Sequence, residues 1–96
     1  MKFNATIQSL NQATCNQEIR WREVGETRCF TTLFQLRKYI ICRVETDEDK
    51  QAVSIDFLDA NNMLVGDMNR REEGEDGFAE LNALYNYAMR TAHAPA

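Results

Sequence analysis

Two stretches in the first half of the chain, RCFTTLF (28–34) and KYIICRVE (38–45), constrain the fold more than anything else in its 96 residues. Both are rich in β-branched and aromatic residues, which suit the pleated surface of a sheet. Neither alternates. Cys29, Phe30, Leu33 and Phe34, then Tyr39, Ile40, Ile41, Cys42 and Val44, put apolar groups on both faces. A strand apolar on both sides is buried on both sides. These two belong in the middle of a sheet, with a helix or another subunit over the second face. Two short helices can hide five strands only in part, so a homodimer contact is the expected cover.

The remaining elements read outward from that pair. Asn4 can cap a helix over 4–15, with Phe3, Ile7, Leu10, Ala13 and Thr14 on one stripe and Asn16 suited to the left-handed turn at its end. In EIRWREV, Ile19 and Trp21 alternate with Arg20 and Arg22, which predicts a strand with one apolar face. Gly25–Thr27 and Thr46–Lys50 are turns. AVSIDFLDA sets Val53, Ile55 and Phe57 against Ser54 and Asp56, a half-exposed strand. Asp59–Asn62 has hairpin-turn residues, and MLVGDMN returns as the last strand, with Gly66 marking a bulge or a close approach. Gly74–Gly77 breaks the chain, Asp76 is the expected N-cap, and Phe78, Leu81, Leu84, Tyr85, Ala88 and Ala92 form an amphipathic stripe. Tyr87 falls outside it.

The expected fold is α+β: an N-terminal helix, a five-stranded antiparallel β-meander, and a C-terminal amphipathic helix packed on the sheet. Short connections need no crossover. Residues 1–96 make one domain, whose 44% hydrophobic content supports a modest core.

No apolar run approaches the roughly 20 residues a bilayer span needs, and MKFNATIQSLNQ carries polar residues where a signal peptide is apolar. The expectation is a cytoplasmic protein. Cys15, Cys29 and Cys42 have no C-x-x-C spacing and read as buried thiols acting as small hydrophobes. Zinc would require these three and His93 to converge from distant positions. No metal or cofactor is expected.

Catalytic motifs are missing. Gly25, Gly66, Gly74 and Gly77 match no phosphate-cradling loop, and His93 reads as a frayed solvent histidine. Asp56 and Asp67, on strands that should pair, could act as an acid–base couple or hold Mg²⁺, but outward positions of a one-faced sheet are polar in any case. Trp21 between two arginines could stack on nucleic acid. It shares the face of Ile19, however, and a pI near 4.9 argues against a nucleic-acid binder. The reading is a non-enzyme.

Charge is the most informative remaining feature. Residues 1–44 carry seven Lys or Arg against three acids, whereas residues 45–96 carry four against twelve. An asymmetric field of this kind steers partners. In a meander, ETDED before the fourth strand and EEGED after the fifth come together at one end, beside the start of the last helix. Acids there meet the helix dipole favourably, at most about 1 kcal/mol, which one or two carboxylates satisfy. The excess identifies Asp47, Glu48, Asp49, Glu72, Glu73, Glu75 and Asp76 as candidate partner-binding residues, with Tyr87 as the candidate for docking through the helix.

NQEIRWREVGETRCFTT, DFLDANNMLVGDM and LNALYNYAMRTA together resemble a small meander module found beside bacterial antiphage effectors and in mobile elements. That module joins a first strand bearing a Trp to a closing LYxxAR-type helix. Leu84, Tyr85, Ala88 and Met89 match, while Met89–Arg90 departs from its doubled basic ending. The short, acidic, motif-free chain also resembles phage-encoded inhibitors of host defence such as anti-CRISPR proteins. That likeness implies an inhibitor in the host cytoplasm that blocks a defence nucleoprotein complex. Its partner would be a protein with a basic nucleic-acid-binding surface, with no direct contact to nucleic acid or membrane. The alternatives are an accessory module that docks through the tyrosine helix or by homodimerisation, and a protein that sequesters a nucleotide-like signal through its basic first half.

Overall fold

The computed structural model describes residues 2–25, 28–46, 48–58, 61 and 63–93, with the side chains of 2–4 and 64–69 outside that description. Helix α1 (Lys2–Cys15) is followed by strands β1 (Arg22–Glu23), β2 (Cys29–Phe34), β3 (Arg37–Glu45), β4 (Gln51–Leu58) and β5 (Leu64–Glu72), and then by helix α2 (Phe78–His93). The strands form one antiparallel sheet in the order β1-β2-β3-β4-β5. This is the expected α+β meander between two helices.

One face of the sheet holds the core. Phe30, Tyr39, Ile41, Val53 and Ile55 pack with Ile7 and Leu10 of α1 and with Leu81, Leu84, Tyr85 and Ala88 of α2. Both helices therefore lie on the same side. Among the described residues no helix lies over the second face, for which a helix or another subunit is the expected cover. On that face the register sets Cys42 between Cys29 and Ser54, and Ile40 between Thr31 and Asp56. Ile40, Cys42 and Val44 are half-buried, and Leu33 is 67% exposed. β4, expected to be half-exposed, is buried on both sides. Ala52, Ser54 and Asp56 are as hidden as Val53 and Ile55, because β3 and β5 flank them and the long Glu72 and Arg70 stand opposite Ala52 and Ser54.

Several boundaries move for identifiable reasons. α1 starts at Lys2, so Asn4 lies inside it and not at its cap. At its end the left-handed residue is Gln17 (φ 61°), not Asn16. The amides of Gln17 and Glu18 bond the carbonyls of Thr14 and Ala13 at 3.1 and 2.8 Å, a Schellman closure. β1 is shorter than the alternating stretch that predicts it, because the Arg20 carbonyl and the Trp21 amide bond to threonine hydroxyls in place of the backbone ladder of β2, which pairs only Arg22 and Glu23. The Thr32 hydroxyl donates to the Arg20 carbonyl at 2.8 Å, and the Trp21 amide donates to Thr91 Oγ1 at 3.1 Å. Trp21 itself is 1% exposed, which rules out the stacking role, and its indole N–H donates to Thr14 Oγ1 at 3.1 Å.

Asp76 does not cap α2. The Gly77 carbonyl accepts the first helical bond, from Leu81, at 3.0 Å. Ahead of it, Glu75 N bonds Glu72 O and Phe78 N bonds Glu75 O, closing two successive turns. Gly74 and Gly77 hold their third positions at φ 89° and 87°, the positive φ that a type II turn requires and that glycine adopts without strain.

The cysteines also depart from expectation. Cys29 and Cys42 stand opposite each other with Cα atoms 4.2 Å apart and are joined by a disulfide. The adjacent Arg28–Arg43 pair makes the ladder bond, Arg43 N to Arg28 O at 3.2 Å, so the cysteines occupy the closer, non-hydrogen-bonded kind of pair. Cys15 is exposed. None of the three is the buried thiol that the sequence leads one to expect. No helix among the described residues is long and apolar enough to cross a membrane.

Candidate functional site

The hairpin joining β3 to β4 and the chain leaving β5 meet at one end of the sheet. Glu45 pairs with Gln51 and Ala52 pairs with Glu72, so the Thr46–Lys50 turn stands beside the Glu72–Gly77 turns and the first residues of α2. Glu48, Asp49, Glu73, Glu75 and Asp76 are exposed there and Glu72 is half-buried. Glu45, Thr46, Glu48, Arg70 and Glu72 line an open groove of about 410 Å³. The structure thus brings together the sequence-predicted acids, apart from Asp47, which lies outside the described residues.

Bases answer part of this charge. Arg28 reaches Glu45 at 2.8 Å, Lys50 reaches Glu48 at 3.5 Å and Arg70 reaches Glu72 at 3.3 Å. The six side chains are between 38% and 76% exposed, so each pair contributes about 1 kcal/mol at most. Among the described residues, Asp49, Glu73, Glu75 and Asp76 have no basic partner. Two of these have structural work: Glu73 Oε1 accepts from Gln51 N at 2.6 Å, and Glu75 Oε1 accepts from Glu72 N at 2.7 Å. The acids before α2 therefore fasten the end of β5 as well as facing solvent. The hairpin turn is closed in turn by Thr46 Oγ1, which accepts from Lys50 N and donates to Lys50 O, both at 3.1 Å.

Tyr87 stands apart from the acids. It is half-buried outside the core cluster, with the Arg90 guanidinium 5.9 Å from its ring centre. α2 packs on the sheet and also against α1. Asp56 is 7% exposed, and the side chain of Asp67 lies outside the described residues. Among the described residues no group of three His, Cys, Asp or Glu is placed to hold a metal ion. The zinc set is broken in any case, because Cys29 and Cys42 are bonded to each other. His93, expected to fray, ends α2 with its ring 5.8 Å from that of Phe30 and its Nε2 3.6 Å from Glu23.

A second cluster went unread in the sequence. Glu23, Arg28, Phe30, Arg43, Tyr85, Met89 and His93 line a cleft of about 300 Å³ between the β1–β2 edge and α2. Arg43 Nη2 donates to Asn82 Oδ1 at 2.6 Å and its guanidinium lies 4.5 Å from the centre of the Tyr85 ring, while the Tyr85 hydroxyl donates to the Arg28 carbonyl at 3.1 Å. Burial raises the Tyr85 pKa above its usual 10, against the opposing pull of Arg43 and Arg28. The signal was present in the alternation of β3: Tyr39, Ile41 and Arg43 share the core-facing side, so a charge stands where an apolar group is expected.

Comparison with protein-family models, with curated proteins and with solved structures finds no match for this chain.

Proposed function

We propose that this is a non-enzymatic binding protein whose acidic end occupies a basic, nucleic-acid-binding surface on a partner protein, as a phage-type inhibitor of a host defence complex would. The observation that carries the reading is the convergence of Glu45, Glu48, Asp49, Glu72, Glu73, Glu75 and Asp76, from two separate stretches of sequence, at one end of the sheet. Each carboxylate can meet an Arg or Lys that would otherwise hold a phosphate. The three exposed ion pairs within the cluster are weak enough for a partner's cations to displace.

The geometry dictates how to test it. Reversing Glu73 and Glu75 to Lys would remove two backbone hydrogen bonds and confuse loss of charge with loss of structure. The informative variant combines Glu48→Lys, Asp49→Lys and Asp76→Lys with Glu73→Gln and Glu75→Gln, which keep an amide oxygen as acceptor. The partner is captured from the native host and identified by mass spectrometry. Binding is then measured at low and high salt and against a competing DNA duplex. The combined variant should lose binding with its circular dichroism unchanged, and each single substitution should cost about 1 kcal/mol or less. Undiminished binding by the folded variant, or affinity indifferent to salt, would refute the reading.

A further inference from the structure

We propose that the cleft beside Arg43, joined to the acidic end only through Arg28, binds a compact oxyanion: the phosphate or carboxylate group of a small molecule. Arg43 extends from the core-facing side of β3, and each group among the described residues that holds it is neutral. Asn82 Oδ1 and Asn86 Oδ1 accept from its Nη2 at 2.6 and 3.5 Å, and Tyr85 offers the face of its ring. Among the described residues no group bonds its Nε, which is buried. No carboxylate among the described residues lies within ion-pairing distance of Arg43. A partly buried guanidinium normally has an anionic partner, because neutral dipoles return only part of the hydration that is lost.

The surroundings suit an anion supplied from outside. Arg28 lines the same cleft, and its bond to Glu45 is between two exposed side chains, so an oxyanion can take Arg28 over at little cost. Among the described residues Glu23 is the one carboxylate lining the cleft, and it lies 3.6 Å from His93 Nε2. Phe30 and Tyr85 are almost wholly buried and Met89 half-buried, so they form a floor and leave no open ring face for stacking. The cleft, about 300 Å³, is at the lower limit for small-molecule sites and matches a compact ligand. Planar guanidinium groups pair with the two oxygens of a phosphate or carboxylate in a fixed fork, which is the chemistry selected here.

The experiment is an NMR titration of the full chain with inorganic phosphate and, separately, with acetate, each against sodium chloride of matched ionic strength. The readouts are the Arg43 and Arg28 Nε–Hε cross-peaks. A saturable shift at Arg43 with phosphate, acetate or both is expected, and the stronger of the two identifies the class of ligand. Arg43→Gln should weaken it on the order of tenfold or more. Arg28→Gln, an exposed change that leaves the core intact, should weaken it several-fold and keeps the proposal testable if Arg43→Gln does not fold. Shifts no larger than those with chloride, or binding undiminished in both variants, would overturn the proposal.

Discussion

Replacing Thr14 with valine tests how the Trp21 segment is held. The Thr14 hydroxyl is buried and serves twice, accepting the Trp21 indole N–H at 3.1 Å and donating to the Leu10 carbonyl at 2.7 Å. Valine keeps the shape and nearly the same helix propensity, so neither packing nor the helix is otherwise disturbed. The Leu10 carbonyl keeps its helical partner. The indole N–H, on a side chain only 1% exposed, does not. An unsatisfied buried donor costs about 1–3 kcal/mol, a large share of the roughly 5–14 kcal/mol available to a chain of this size. In thermal terms each kcal/mol corresponds to a fall of about 4–8 °C in Tm. Urea denaturation followed by fluorescence measures it directly, since Trp21 is the only tryptophan. A double-mutant cycle with Trp21→Phe, followed by circular dichroism, isolates the bond: without the indole N–H, Thr14→Val should cost at least about 1 kcal/mol less. A cost below about 0.5 kcal/mol, or the same cost in both backgrounds, would refute the account.

Two further outcomes follow from the β2–β3 hairpin. Its two-residue turn is Gln35–Leu36, both at positive φ (51° and 64°) as a type I′ turn requires, and Leu36 is 99% exposed, so Leu36→Gly removes backbone strain without losing packing. A gain of about 0.5–1 kcal/mol in chemical denaturation is expected, and a loss would contradict the assignment of the turn. Cys29→Ala with Cys42→Ala opens a crosslink of sequence separation 13, and the double variant should unfold about 2–3 kcal/mol more easily than the oxidised protein. Equal stability of the two would show that the bond contributes nothing to the fold.

The readable parts of the fold were those set by local chemistry. Five runs with strand composition, separated by polar turns, leave a meander as the simple topology, and the stripe Leu81, Leu84, Tyr85, Ala88 could bury only as a helix face. The convergence of the two acidic stretches followed from topology alone, since antiparallel strands return the chain to the same end. Other features were unread or misread because their cause lies between elements. Gln-Leu is not a turn dipeptide, and its turn exists because the strands on either side are in register. Residues 20 and 21 look like strand, yet the hydroxyls of Thr32 on β2 and Thr91 on α2 take the place of the backbone ladder bonds a strand would make.

What the sequence determined by itself is therefore the class of fold, the order of the strands and the concentration of charge at one end, because each depends on side-chain type and on neighbours along the chain. Tertiary structure decided the rest. It put both helices on one face of the sheet and set Cys29 opposite Cys42. It also brought Arg43 against Asn82, Asn86 and Tyr85, residues about 40 positions away along the chain. Contacts of that kind depend on how finished elements pack, and a single strand or helix carries no record of the surface it will meet.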